Sequence, residues 1–141
     1  MSDSNEYGYV VATLGFAAAV NLWMAISVGR ARKKIGLNYP KMFATGDSPD
    51  EVKFNCTQRA HQNHVEQAPL AMICIAALGA QKPVTAAALG MVYTIGRIIY
   101  FKGYSSGNAD KRGPGAIISF LALAGAVGTS MVTGLLSSGL F

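Results

Sequence analysis

The sequence predicts an all-α membrane protein: a bundle of four transmembrane helices forming one domain over residues 1–141. Three observations carry this expectation. Hydrophobic residues make up 51% of the chain and charged residues 13%, against about 25% charged in an average soluble domain. Two long stretches contain no Asp, Glu, Lys or Arg. Proline and polar breaks then divide the remainder into helix-length segments. The same composition excludes an intrinsically disordered chain, and a length of 141 residues excludes a large multidomain enzyme. No internal repeat or low-complexity tract is visible.

Helix one is expected over residues 7–34. Residues 7–29 form 23 consecutive positions without a charged side chain, and at ~1.5 Å per residue such a helix crosses the ~30 Å hydrocarbon core. The order of charges excludes a cleaved signal peptide, because Asp3 and Glu6 precede the apolar run and Arg30, Arg32, Lys33 and Lys34 follow it. Helix two, expected over 54–80, has only 15 uncharged positions (67–81) and reaches spanning length by taking in Arg59 and Glu66. Helix three, expected over 83–104, has 14 (83–96) and takes in Arg97. Helix four is expected over 113–138, inside 29 uncharged residues, with Ala124, Gly125, Gly128 and Ser130 small enough for close helix packing. Lys82-Pro83 separates helices two and three. The polar stretch 35–53, with Pro40, Gly46, Asp47 and Pro49, reads as a surface loop.

Twelve Lys/Arg against seven Asp/Glu give a net charge of +5, and their placement fixes an orientation. Nine basic residues fall in the first and third loops and the adjoining helix ends: Arg30, Arg32, Lys33, Lys34, Lys41, Lys53, Lys102, Lys111 and Arg112. The second loop has only Lys82, and Arg59 and Arg97 lie inside helices. The positive-inside rule therefore puts loops one and three in the cytosol and both termini on the far side. A nucleic-acid partner is not expected, since no recognition module is readable. Cys56 and Cys74 lack a disulfide framework or metal-ligand spacing and read as reduced packing residues.

Helix two carries the densest polar signal. Arg59, Asn63 and Glu66 are spaced i, i+4, i+7 and share one helical face, with Asn55 and Gln62 on or beside it. On helix three, Arg97, Tyr100 and Tyr104 run i, i+3, i+7 toward the same cytosolic boundary. Ionisable groups at membrane depth are costly unless paired or wet, so they mark a functional site by default. The blander readings are an Arg59–Glu66 pair that pins helices together and an interfacial belt of tyrosines. His61 and His64 have no carboxylate in phase, so no metal site is expected. Arginines for carboxylates, Glu66 for an ammonium, amides for peptide groups and tyrosine hydroxyls together suit a small zwitterionic peptide with surplus negative charge. A lipid-accessible wall would admit a second, apolar ligand.

The run Phe54, Asn55, Cys56, Thr57, Gln58, Arg59, Ala60, His61, Gln62, Asn63, His64, Val65, Glu66 with Pro69, followed by Gly96-Arg97 and Tyr100 to Tyr104, resembles the MAPEG family of membrane-associated glutathione enzymes, the type-three microsomal transferase branch most nearly. The resemblance extends to the basic end of helix one, Tyr39-Pro40 and the Lys111-Arg112 turn. It implies a homotrimer in the endoplasmic reticulum membrane that binds glutathione, as co-substrate, between subunits at the cytosolic face. Arg59, Asn63 and Glu66 would hold the γ-glutamyl end, with His61 where relatives often have Gln; Arg97, Tyr100 and Tyr104 would complete the peptide's binding. Arg32, with Arg30 as the second candidate, would reach a terminal carboxylate from the neighbouring subunit. Arg112, with Lys111 as the second candidate and Tyr104 contributing a hydroxyl, would activate the thiol. The implied activity is glutathione transfer to lipophilic electrophiles, leukotriene C synthase-like chemistry included, or reduction of lipid hydroperoxides. Two other function classes compete: a non-catalytic lipid-binding member of the same fold, and a small multidrug exporter using Glu66.

Overall fold

Sharp turns after long helical runs send the chain back and forth along a common axis. The structure is a computed structural model that describes residues 3–139, with side chains from residue 6 onward. The elements are α1 (Asp3–Lys34), α2 (Pro49–Gly79), α3 (Pro83–Tyr104) and α4 (Gly113–Ser137), with a 3₁₀ turn (Ala109–Arg112) leading into α4. All regular structure among the described residues is helical.

α1 begins four residues before the expected start, so that Glu6 lies near the positive end of the helix dipole. The larger correction is at α2, which starts at Pro49 rather than at 54. Ser48 caps it: the hydroxyl accepts from Glu51 N at 3.4 Å, while the Glu51 carboxylate accepts from Ser48 N at 3.3 Å. This reciprocal pair, with proline at the first helical position, satisfies donors that a helix start otherwise leaves orphaned. The first loop is therefore 35–48, and residues 49–53 are helical. Lys34 Nζ donates to Asp50 Oδ1 at 2.6 Å, tying the end of α1 to the start of α2. That hydrogen bond, then the ammonium's charge, holds the Asp50 carboxyl below the ordinary carboxylate range.

Among the described residues, three helices are long and apolar enough to cross a membrane: α1 from residue 6, α3, and α4 with its leading turn. α2 has the length, 31 residues, but its first half is polar.

α3 packs against each of the other three helices. Toward one end the core is Val10, Ile75, Leu78 and Tyr93 with their neighbours; toward the other it is Val20, Met24, Ala60, Tyr100 and Phe101. The Trp23 and Phe101 rings meet edge to face at 5.0 Å. At the α3–α4 seam the backbones touch: a Cβ on Gly115 would overlap the Tyr100 backbone, and one on Gly103 the Lys111 carbonyl. Small residues here bring the start of α4 onto the end of α3, as in close membrane-helix pairs. The turn after α3 also lies against Lys53 in the first turns of α2, so the first and third loops and the adjoining helix ends, which together hold most of the basic residues, share one end of the bundle. At the other end Ser137 bonds Gln81 of the α2–α3 turn.

Candidate functional site

Arg97 is the largest side chain in the fully buried set, 1% exposed. Three of its nitrogens donate to α2: Nη2 to Asn63 Oδ1 at 3.0 Å, Nη1 to Gln67 Oε1 at 3.3 Å and Nε to His64 Nδ1 at 3.3 Å. The guanidinium lies 4.2 Å from the centre of the Tyr100 ring. Positions 63, 64 and 67 lie on one side of α2 because three- and four-residue steps return to the same helical face. Every one of these partners is neutral, and no Asp or Glu among the described residues forms an ion pair with Arg97.

Arg97 opens on a cavity of about 460 Å³ between α2, α3 and α4. Asn63, Gln67, Tyr100 and Arg112 supply its polar side; Ile117, Phe120 and Leu121 of α4 form an apolar wall. Arg112 donates to Ala109 O at 3.0 Å and stacks over Tyr104 at 5.0 Å. Tyr104 meets Tyr100 edge to face at 5.8 Å. The structure thus separates the two candidate activating cations: Arg112 faces the cavity and Lys111 is exposed.

Arg59 and Glu66 pair with each other at 3.0 Å, with 43% and 48% of their side chains exposed. They sit beside the cavity and do not line it. An exposed pair of this kind contributes little to stability, so it is free to exchange its partners for a zwitterion.

Arg32 and His61 stand elsewhere. His61 is two residues from Asn63, ~200° around an α-helix, and faces α1, where Nε2 lies 3.0 Å from Asn21 Oδ1. Arg32 is buried between the rings of Tyr39 and Phe54 and donates to the carbonyls of Lys41 and Met42. Arg30, by contrast, is exposed. Arg32 and His61 share a second cavity, about 390 Å³, with Gln58; none of its lining residues belongs to the first. Within one subunit the candidate residues therefore form two groups: Asn63, Arg97, Tyr100, Tyr104 and Arg112, flanked by Arg59–Glu66, and Arg32 with His61 on the other face of α2.

Two contacts were not anticipated from the sequence. Gln67 and His64 both hold Arg97, yet Gln67 reads as the edge of an apolar run and His64 as half of an implausible metal pair. The available signal was spacing: Gln67 is i+4 from Asn63 and i+3 from His64.

A family model described as the MAPEG family matches residues 10–132. The chain belongs to the MAPEG family. Both groups of candidate residues fall inside the matched span. Microsomal glutathione S-transferase 2 of Homo sapiens is 37% identical over 118 residues, covering 79% of this chain and 76% of that protein. With three apolar helices of membrane length, this MAPEG chain is an integral membrane protein.

Proposed function

We propose that this MAPEG protein is a glutathione transferase of the endoplasmic reticulum membrane. It holds glutathione as a thiolate and transfers it to lipophilic electrophiles, leukotriene C synthase-like substrates included, or uses it to reduce lipid hydroperoxides. The observation that carries the reading is the cavity itself: a buried arginine with only neutral partners and a second arginine share it with an apolar wall. Such a chamber suits an anionic peptide beside an apolar molecule. The family and its transferase relative point to glutathione as that peptide.

The site's chemical task is electrostatic. A thiol of pKa about 8.5 is less than ~10% thiolate at neutral pH, and only the thiolate attacks. Arg112 supplies a permanent positive charge and Tyr104 a hydroxyl donor; a shift of one pKa unit needs only ~1.4 kcal/mol of preference for the anion. In conjugation the sulfur forms a bond to an electrophilic carbon, and either a leaving group departs with the bonding pair or an epoxide C–O bond opens and takes a proton. With a hydroperoxide, sulfur takes the terminal oxygen as the O–O bond breaks. The lipid alcohol leaves, and a second glutathione converts the sulfenic acid to disulfide and water.

The division of candidate residues into two groups supports a site completed between copies in a homotrimer. Arg32 and His61 of one subunit then face Arg59, Asn63, Glu66 and Arg97 of the next. α2 is the fourth crossing, and the basic end faces the cytosol, where glutathione enters. A second reading, a non-catalytic lipid-binding protein, draws on an apolar groove of about 480 Å³ between α1 and α2.

Purified protein in detergent is expected to bind glutathione and to consume its thiol in the presence of a hydrophobic electrophile. Arg59→Ala is expected to weaken that binding by ~10-fold or more, the worth of one charge-assisted contact. Lipid binding without thiol consumption, tested with both electrophile and hydroperoxide, establishes the carrier instead.

A further inference from the structure

We propose that Arg97 takes a carboxylate of the bound peptide as its counter-ion, and that His64 is the residue that positions it. The inference rests on the glutathione reading and extends it to a residue outside the expected site. A guanidinium has five N–H donors. In Arg97, Nε, Nη1 and Nη2 each give one to α2, which leaves one hydrogen on each terminal nitrogen. A carboxylate can accept from both of these charged N–H groups. A cation removed from water without an opposite charge is expensive, and the cavity that Arg97 lines is where a counter-charge can enter.

His64 differs from the other two partners in where it stands. Asn63 and Gln67 line the cavity, so an incoming peptide competes for their amides; His64 does not line it. It is 2% exposed, and its bond to Nε is the buried one of the three. It therefore persists when the peptide is bound, fixing the plane of the guanidinium and the direction of the two unused hydrogens. Because Nδ1 accepts, the ring proton is on Nε2, and the imidazole adds no second positive charge beside Arg97. His64 acts through Arg97 and touches no reacting atom: it is a positioning residue.

The test is calorimetric titration of detergent-solubilised protein with glutathione and with glutathione diethyl ester, whose carboxylates are blocked. His64→Leu removes the acceptor and is expected to bind glutathione about 10-fold more weakly than the parent, equivalent to about 1.4 kcal/mol. It should bind the diester as the parent does. His64→Asn, whose amide oxygen can accept from Nε, should stay within about threefold of the parent for glutathione, a gap of under 1 kcal/mol. If His64→Leu does not fold, His64→Cys, a poor acceptor, takes its place with the same expectation. Unchanged glutathione affinity in the acceptor-less variant overturns the inference. So does an equal loss for the diester, which marks a merely structural role, or failure of His64→Asn to restore binding. Absence of glutathione binding by the parent overturns the glutathione reading and this inference with it.

Discussion

Arg112→Leu is expected to lower kcat for conjugation by about 100-fold while glutathione affinity stays within about threefold. Lys111→Ala should leave both close to the parent values. The magnitude is that of one preorganised cation aimed at developing or resident negative charge in a site shielded from water. The asymmetry comes from the structure: Arg112 lines the cavity and stacks on Tyr104, whereas Lys111 is exposed and contributes its backbone carbonyl to the contact with Gly103. Initial rates against glutathione concentration separate the cases, since a loss in kcat without a rise in KM reports an interaction that matters after binding. A loss confined to Lys111→Ala assigns the activation to Lys111, and equal losses in the two variants contradict the asymmetry.

Gly115→Ala should destabilise the folded protein by about 3 kcal/mol, the upper end of what overpacking costs at a tightly packed position. The added methyl would meet the backbone of Tyr100, which cannot rotate away as a side chain tip can. α4 must move off α3, and the cavity wall and Arg112 move with it, so activity is expected to fall with stability. Gly128→Ala on the same helix, with open space where the methyl would go, should stay within about 0.5 kcal/mol. Thermal unfolding in one detergent, followed by circular dichroism, compares the two. Similar midpoints for both variants would mean that the α3–α4 contact is looser than described.

Much of the helical architecture was legible because length and lack of charge are enough to mark α1 and α4, and Pro83 marks the start of α3. The start of α2 was obscured for a specific reason. Hydropathy locates where a helix turns apolar, whereas this helix starts in polar sequence. Ser48-Pro49-Asp50-Glu51 already contains a capping box, with Ser at the cap and Glu three residues on. In the site, three- and four-residue spacing put Asn63 with Arg59 and Arg97 with Tyr100. The same geometry, applied to the two-residue step from His61 to Asn63, puts them on opposite faces, but a motif read as one string blurs that distinction. Spacing groups His64 and Gln67 with Asn63, but the periodicity of α2 alone does not say which of its faces meets α3, so their contact with Arg97 was not legible.

The account's central claim is that the protein holds glutathione as its thiolate. Ultraviolet difference spectroscopy, following thiolate absorbance of the bound peptide as pH is raised, measures this directly. The thiol is expected to titrate at least about one unit below the ~8.5 of a free thiol and to return toward that value in Arg112→Leu. A bound thiol that titrates like free glutathione, unchanged by Arg112→Leu, would contradict it.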